Sequence, residues 1–350
     1  MNSAAPLREA DRDYVETIDT FDTLFVEPDA ADAGVPGIVI RAGRGLYIVQ
    51  TDTGRVMPCR LRGNLKKNLT YPESVNRARR VEKVKKLRET DPVAVGDRVE
   101  ITVEESGRAG VIEVVLPRRA ALTRRSGNER ERQTLVANLE LAVIVFSAKE
   151  PRPDLYKLDR FLVLAEDAEL DCLIVLNKAD LATPEEIEES AADYRRIGYN
   201  VLATSARMRL GIDDLREHLS GRISAFCGPS GVGKSSLLNA IQPGLSLKTG
   251  EIGTVTYKGK HTTTAIELLP LAFGGWVADT PGLRQVEFWD LDAEDVGFCY
   301  PEMAPLMGRC KFANCHHREE PGCAVRAAVA AGEISTRRYE SYLQMTKDPV

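Results

Sequence analysis

The stretch Phe226-Cys-Gly-Pro-Ser-Gly-Val-Gly-Lys-Ser-Ser236 decides the fold of its domain, because it matches the pattern of a phosphate-binding P-loop. Glycines in such a loop let backbone N–H groups point at phosphate oxygens, and the lysine adds a positive charge beside them. A short apolar strand is predicted before the loop and a helix after it, although a glycine-rich turn before a helix is the plainer alternative. The predicted phosphate contacts are Gly228, Pro229, Ser230, Gly231, Val232, Gly233, Lys234, Ser235 and Ser236.

The composition is that of an ordinary globular protein. The chain has 350 residues, of which 43% are hydrophobic and 28% charged, and a formal net charge of −5. This length allows two or three domains. No apolar run approaches the roughly 18 residues of a transmembrane helix, and the N-terminus lacks a secretory signal pattern. Seven mostly scattered cysteines favour a reducing, cytoplasmic setting over a disulfide framework.

Charge is unevenly distributed along the chain. Residues 1–33 contain nine acidic and two basic side chains, which predicts a disordered acidic tail. Residues 60–88 contain eleven lysines and arginines against two glutamates, a local balance of +9. A charge run of this density fits an anionic partner such as RNA about as well as it fits a solvated surface.

Residues 34–120 are predicted to form a small β-barrel of the oligonucleotide-binding type (OB-fold). Short strand patterns recur here, and one of them places Val99, Ile101 and Val103 on a single face. Five such strands suit this barrel, with residues 60–88 as an inserted loop. Because aromatic residues are scarce, we expect contacts with the phosphates of structured RNA rather than base stacking.

Residues 121–290 alternate between strand and helix patterns, which predicts an α/β domain with a parallel sheet covered by helices on both faces. The motif Asn177-Lys-Ala-Asp180 (the base loop) directly follows a buried strand pattern. Its aspartate suits the two adjacent N–H donors of guanine, which adenine lacks. Thr204-Ser-Ala206 adds a backbone N–H that could reach guanine O6. The predicted base contacts are Asn177, Lys178, Asp180, Ser205 and Ala206.

Two further motifs follow the P-loop. In Asp279-Thr-Pro-Gly282, the aspartate can orient a Mg²⁺-bound water, and the N–H of Gly282 can donate to a γ-phosphate. The threonine run 262–264 lies between this motif and the P-loop, and one of its hydroxyls, or its backbone, can complete the coordination of the metal. The pattern leaves open which threonine does so. The predicted Mg²⁺ contacts are Ser235, Thr263 and Asp279.

The order of the motifs is unusual for a GTPase. An ordinary GTPase has the P-loop first and the base-reading motifs last, whereas here the base loop precedes the P-loop. Such a rearrangement costs little if the former termini lay close together and the new break falls in a surface connection. The sequence therefore predicts a circularly permuted GTPase domain, in which the Asp279 motif runs directly into the C-terminal segment.

Residues 291–350 are predicted to form a mainly helical, metal-binding domain. Three thiolates and one imidazole make a closed tetrahedral set that suits structural zinc. Of the two neighbouring histidines, His317 is the preferred fourth ligand and His316 the alternative, and a group of buried free cysteines is the competing interpretation. The candidate thiolates are Cys310, Cys315 and Cys323.

Together these motifs resemble the circularly permuted GTPases that depend on the small ribosomal subunit, the RsgA family. The resemblance covers about residues 35–345 and leaves the acidic tail outside. The motifs that carry it are Asn177–Asp180, Gly228–Ser235, His261–Thr264, Asp279–Gly282 and Cys310–Cys323.

The resemblance implies a cytoplasmic GTPase that binds the 30S subunit late in its maturation and is stimulated by it. The implied partners are the subunit with its 16S rRNA, GTP and GDP, and neither a membrane nor DNA. It also implies that His317, not His316, binds the zinc. We expect one structural Zn²⁺, Mg²⁺ with GTP, and a monomer.

The catalytic group is the least determined feature of the site. Many GTPases place a glutamine after the residue that corresponds to Gly282, where it orients the attacking water. This chain has Leu283 there, so we expect slow intrinsic hydrolysis and a water-orienting group from the ribosome or from His261, as the resemblance supports. The catalytic candidates are His261, Lys234 and Gly282. One alternative is an RNA-binding assembly protein that hardly hydrolyses its GTP; a generic P-loop ATPase is disfavoured by Asp180.

Overall fold

The computed structural model describes residues 34–43, 45–62, 88–89, 92–125, 131–245, 266–279 and 293–347. The acidic tail and most of the basic segment 60–88 lie outside the described residues. The same holds for four residues singled out above, His261, Thr263, Gly282 and Leu283. None of the helices that the structure describes combines the length and the apolar character needed to cross a bilayer.

Fourteen strands and six α-helices build the described part of the chain. The strands are β1 (Val35–Gly43), β2 (Leu46–Thr51), β3 (Val56–Leu61), β4 (Arg88–Glu89), β5 (Arg98–Val103), β6 (Gly110–Val115), β7 (Ala121–Arg125), β8 (Glu131–Ala137), β9 (Leu141–Ser147), β10 (Asp171–Asn177), β11 (Asn200–Ala203), β12 (Ile223–Cys227), β13 (Glu267–Pro270) and β14 (Trp276–Asp279). The helices are α1 (Leu155–Asp167), α2 (Pro184–Arg196), α3 (Ile212–Leu219), α4 (Lys234–Ile241), α5 (Ala324–Ala330) and α6 (Thr336–Met345).

The N-terminal unit is a closed five-stranded barrel. Its strand order is β1-β2-β3-β6-β5, and β1 also pairs with β5, which closes the ring. Strands β3 and β6 are parallel, and the other pairs are antiparallel. Val99 and Ile101 are fully buried in the barrel core, and Val103 packs against it. The predicted OB-type barrel is confirmed.

The central unit is a six-stranded sheet in the order β11-β10-β9-β12-β14-β13. Alternate residues of β9 enter two different cores: Val143 and Val145 pack with α3 and α4, whereas Ile144 and Phe146 pack with α1 and α2. Helices therefore cover both faces, as predicted. The expectation of a wholly parallel sheet is wrong at one edge, because β13 runs antiparallel to β14. Only a short turn joins these two strands, and a parallel pair would need a long crossover.

The connections of this sheet define where a ligand can bind. From the central strand β9 the chain continues outward to β10 and β11, whereas β12, on the other side of β9, is followed by β13 and β14. A crevice forms beyond the carboxyl ends of strands at such a switch point, and ligands of α/β proteins bind there. The P-loop follows β12 and the base loop follows β10. The topology thus brings both motifs to one edge of the sheet.

A three-stranded sheet of β4, β8 and β7 lies outside both units and was not predicted. The chain between residues 121 and 137 is rich in arginine and glutamate and has no clear alternation of apolar residues, so its strand pattern is weak. A buried ion pair ties this sheet to the barrel. Arg118 Nε lies 2.7 Å from Asp97 Oδ1, and Arg118 Nη1 donates to Thr134 Oγ1 over 2.9 Å.

The barrel and the central sheet also meet edge to edge. Arg41 of β1 and Glu267 of β13 are antiparallel partners, and their side chains form an ion pair of 2.6 Å. Glu267 is buried, so the pair is partly shielded from water. The eleven strands consequently form one continuous hydrogen-bonded system.

The regular elements of the C-terminal unit are all helical among its described residues, in line with the predicted helical domain. It contains the 3-10 helices Val296–Cys299 and Ala304–Leu306 together with α5 and α6. Its core includes the buried rings of Tyr300 and Tyr342, and Val163 of α1 packs into the same core. The unit is therefore packed directly against the GTPase-like domain.

Candidate nucleotide site and metal cluster

The P-loop has the backbone that its glycines predict. Gly228, Gly231 and Gly233 adopt φ angles of 130°, 81° and 94°, values that L-residues with a Cβ rarely adopt. A Cβ at Gly228 would lie 2.1 Å from the carbonyl oxygen of Val145, where the loop crosses the end of β9. Glycine is therefore required for both the conformation and the close approach of the two chains.

Helix α4 begins at Lys234 and presents its first turn to the crevice. The Lys234 ammonium donates to the carbonyls of Gly228 and Pro229, each over 2.6 Å, so the side chain folds back over its own loop. Ser235 and Ser236 are exposed in the first turn. The unpaired N–H groups of a helix start and a nearby ammonium are what an anionic phosphate chain needs.

Asn177 holds three loops together at the edge of the sheet. Its side chain is buried, and Nδ2 donates to the carbonyl of Val232 in the P-loop over 2.8 Å. Its Oδ1 accepts from the Thr204 hydroxyl and from the backbone N–H of Ala206, both at 3.3 Å. The structure therefore brings the base loop, the Thr204–Ala206 loop and the P-loop into direct contact.

The remaining base-loop residues are positioned by neighbouring loops. Lys178 has a left-handed backbone (φ 61°), and its ammonium donates to the carbonyl of Glu150 over 2.6 Å. The Asp180 side chain is exposed to solvent, and its Oδ1 accepts from the Ser205 hydroxyl over 2.6 Å. A carboxylate oriented in this way can accept two hydrogen bonds from a base edge.

The γ-phosphate side of the site is only partly described. The backbone of Asp279 ends β14, and β14 pairs in parallel with β12, so this backbone lies at the same sheet edge as the P-loop. The threonine run and Gly282 fall outside the described residues, as does His261. Their predicted roles stay predictions.

The four predicted zinc ligands form one cluster (the metal cluster: Cys310, Cys315, His317 and Cys323), whose ligand atoms all lie within 4.8 Å of one another. His317 Nδ1 lies 3.4 Å from the sulfurs of Cys310 and Cys323, which are 3.8 Å apart. Tetrahedral zinc with bonds of about 2.3 Å to sulfur and 2.0–2.1 Å to nitrogen separates its ligands by roughly 3.6–3.8 Å. The donor set and its spacing therefore fit Zn²⁺.

Backbone and side-chain contacts hold the cluster in shape. The N–H groups of Ala324 and Arg326, in the first turn of α5, point at the sulfurs of Cys310 and Cys323. The Tyr339 hydroxyl donates to the carbonyl of His317 over 2.5 Å. Burial lowers the pKa of His317, which favours the neutral imidazole that binds metals. His316 is exposed and is not part of the cluster.

The loop that follows β9 was not among the predicted site residues. Its Ala148 N–H donates to the carbonyl of Asn177 over 2.7 Å, and the carbonyl of Glu150 accepts from Lys178. Glu150 acts through its backbone, so its side-chain type carries no signal. The position of the loop, directly after a buried strand next to the P-loop strand, was the available clue.

Comparison with known proteins agrees with this geometry. A family model described as RsgA GTPase matches residues 115–289. A protein of Moorella thermoacetica named small ribosomal subunit biogenesis GTPase RsgA is 47% identical over 307 residues, which cover 88% of this chain and 94% of that protein. A protein of the same name from Gemmatimonas aurantiaca is 42% identical over 311 residues, with coverage of 88% and 95%.

Two solved structures share the whole architecture. YjeQ from Thermotoga maritima is 36% identical, with a TM-score of 0.70 and coverage of 90% of this chain and 98% of YjeQ. YloQ, described as a circularly permuted GTPase, is 30% identical, with a TM-score of 0.67 and coverage of 92% and 97%. The predicted circular permutation is thereby confirmed, and the chain belongs to the RsgA family of circularly permuted GTPases.

Proposed function

We propose that this protein acts in the biogenesis of the small (30S) ribosomal subunit, where it binds rRNA and hydrolyses GTP to GDP and phosphate. The observation that carries the proposal is the hydrogen bond from Asn177 to Val232, because it joins a guanine-selecting loop to a phosphate-binding loop. The names of the relatives from Moorella thermoacetica and Gemmatimonas aurantiaca support the assignment to the small subunit.

Guanine is selected by the base loop and its neighbour. Asp180 accepts hydrogen bonds from guanine N1–H and N2–H₂, and the N–H of Ala206 exchanges its long bond to Asn177 Oδ1 for one to O6 when the base binds. The Ser205 hydroxyl keeps the Asp180 carboxylate oriented. A base without both donors would leave this carboxylate partly unpaired, which discriminates against adenine by a factor of about 10⁴ or more in sites of this kind.

The phosphates are held by the P-loop, and Lys234 exchanges its two carbonyl partners for phosphate oxygens. The hydroxyl of Ser235 is available in the first turn of α4, and with Thr263 and Asp279 it would hold the Mg²⁺ ion. A bound Mg²⁺ neutralises the negative charge that builds up between the β- and γ-phosphates. The N–H of Gly282 donates to the γ-phosphate.

Hydrolysis is slow in the isolated protein, because Leu283 has no polar atom to orient the attacking water. His261 or a group of the ribosome supplies this function once the subunit is bound. The metal cluster would hold one structural Zn²⁺ that stabilises the C-terminal unit, since Cys310, Cys315, His317 and Cys323 can supply all the ligands of such a site. The barrel, with its basic segment 60–88, contacts the 16S rRNA of the subunit. The protein works as a cytoplasmic monomer.

Multiple-turnover GTP hydrolysis with and without purified 30S subunits tests the proposal. We expect stimulation by 30S subunits, none by 50S subunits, and none for Lys234→Ala with either. Tight GTP binding without stimulation would instead favour a non-catalytic RNA-binding assembly protein, an alternative that Leu283 supports. Equal affinity for ATP and GTP would contradict the guanine assignment.

A further inference from the structure

Helix α6 contacts both the metal cluster and the GTPase domain. Toward the cluster, Tyr339 binds the carbonyl of His317, and the Tyr342 ring lies 6.2 Å from the His317 ring. Toward the GTPase domain, Arg337 and Arg338 of the same helix reach into the space beside α1. One short helix therefore joins the metal-binding loop to the domain that holds the nucleotide site.

The contact with α1 is a buried network of charges. The carboxylate of Asp159 is fully buried and binds Arg337 Nη1 and Arg338 Nη1, each over 2.8 Å. The Tyr194 hydroxyl of α2 donates to the same carboxylate over 2.7 Å. Arg338, only 1% exposed, also binds Glu302 through Nε and Nη2 at 2.8 and 3.1 Å. This network fixes α6 relative to α1 and α2.

The geometry of this network tolerates little change. A buried carboxylate that loses its cation is left uncompensated, which makes such pairs costly to break. Arg338 binds Asp159 and Glu302 at once through different nitrogens of its planar guanidinium. The same guanidinium lies 4.3 Å from the centre of the Tyr300 ring. A lysine keeps the charge but cannot make these contacts at once. The positions of α6 and α1 are therefore fixed relative to each other by these contacts.

Helix α1 is in turn connected to the base loop. It begins at Leu155, directly after the segment 147–154, whose Ala148 N–H binds the carbonyl of Asn177. In that segment the carbonyl of Glu150 accepts from both Lys178 Nζ and Ser147 Oγ, at 2.6 and 2.7 Å. The segment that leads into α1 is thus hydrogen-bonded to the base loop.

The geometry points to Asp159 and Arg338 as positioning residues for guanine recognition, which couple the metal cluster to the base loop through α6 and α1. Metal in the cluster and guanine in the site then favour the same arrangement of these helices. By linkage, each strengthens the binding of the other. The inference rests on the proposed role of Asp180 in guanine binding.

Discrimination between GDP and inosine diphosphate tests the inference in the full-length protein. Inosine lacks the 2-amino group, so the ratio of the two affinities reports how well Asp180 is placed. We expect Arg338→Lys to lower this ratio about fivefold, which is the lower end of the range of coupling between two binding sites in one protein. A general loss of stability would instead weaken both nucleotides equally. Glu340→Gln, an exposed change on the same helix, should leave the ratio as in the wild type.

A second experiment tests whether zinc in the metal cluster affects guanine recognition. Zinc is removed with a chelator, the protein is exchanged into Mg²⁺ buffer, and the same ratio is measured by titration. Zinc removal should lower the ratio of GDP affinity to inosine diphosphate affinity in the wild type. It should have little further effect in Arg338→Lys, because zinc loss and the substitution interrupt the same connection between the metal cluster and the base loop. An unchanged ratio in Arg338→Lys, or equal effects of zinc removal in both proteins, would overturn the inference. A wild type that does not distinguish the two nucleotides would instead contradict the guanine role of Asp180.

Discussion

The side-chain amide of Asn177 donates to the backbone carbonyl of Val232 over 2.8 Å, although the two residues are 55 positions apart in the chain. Asn177 belongs to the base loop and Val232 to the P-loop, so base and phosphate recognition share one buried side chain. The circular permutation has changed the order of these loops in the sequence and has kept them together in space.

Replacing Asn177 by alanine should weaken GDP binding by roughly 10- to 100-fold. The substitution leaves the carbonyl of Val232 and the N–H of Ala206 without their partner, and each such loss costs about 1–3 kcal/mol. Titration with a fluorescent GDP measures the change. Asn200→Ala, at an exposed position at the start of β11, is the matched control and should bind GDP normally. Equal affinity of the two variants would show that Asn177 does not organise the site.

Gly233→Ala should weaken GDP binding as well as lower the stability of the fold, because backbone strain is not its only effect. A Cβ there would lie 2.4 Å from Asn177 Nδ2, and φ is 94°. Gly198 has a similar φ of 99°, but a Cβ there meets nothing within 4 Å. Gly198→Ala should therefore cost only the strain, roughly 1–2 kcal/mol, and leave GDP affinity intact. Thermal unfolding and GDP titration of both variants separate the two effects; similar losses in both would contradict the predicted clash.

His317→Ala should lose the bound zinc, and His316→Ala should keep it. Of these two histidines, His317 is the one whose ring nitrogen lies beside the cysteine sulfurs. Elemental analysis of the purified variants should show about one zinc per chain for the wild type and for His316→Ala. The His317 variant should also unfold at a lower temperature, since a structural metal contributes directly to folding. Retention of zinc by that variant would assign the fourth ligand elsewhere.

The Arg41–Glu267 pair should contribute about 2 kcal/mol to the attachment of the barrel, as expected of a charged hydrogen bond at a partly buried site. A double-mutant cycle with Arg41→Gln and Glu267→Gln, measured by the free energy of unfolding, isolates this coupling. The exposed pair of Arg195 and Glu188 on α2 provides the comparison and should give less than about 1 kcal/mol. A coupling no larger than that of the exposed pair would leave the backbone pairing as the main attachment.

His261→Ala should reduce the GTPase rate in the presence of 30S subunits by about 100-fold, the lower end of the effect of a general acid–base group. GTP affinity should remain normal, because His261 is assigned to the attacking water and not to binding. His218→Ala, on α3, is the control with an unchanged rate. Full stimulation of the His261 variant would place the water-orienting group on the ribosome.

The architecture and the motifs were accessible from the sequence, because each rests on a local pattern. The alternation around Val99 and Ile101 indicated the barrel, and the spacing of Cys310, Cys315 and Cys323 indicated a metal. The structure bore out the barrel and gathered the three cysteines with His317. These features depend on residue type and spacing along a few turns or strands of chain.

The remaining features depend on contacts between distant segments. No local pattern pairs Asp159 with Arg338, which are 179 positions apart, and neither residue is unusual in its own helix. Glu150 binds Lys178 through its backbone, which any residue could offer. The antiparallel direction of β13 follows from its short turn to β14, and an alternating strand–helix pattern gives no warning of it. Such relationships become visible only when the chain is folded.

The edge pairing of β1 with β13 limits which insertions and deletions the protein can tolerate. Side chains alternate between the two faces of a strand, so a slip of β13 by one residue would put Leu268 where Glu267 meets Arg41, and would turn the buried Leu268 and Leu269 to the wrong faces. Extra residues between α4 and β13 leave this register untouched. This register therefore limits the length of β13, which can neither gain nor lose a single residue, and not that of the connection, whose length is limited instead by the roles proposed for His261 and Thr263.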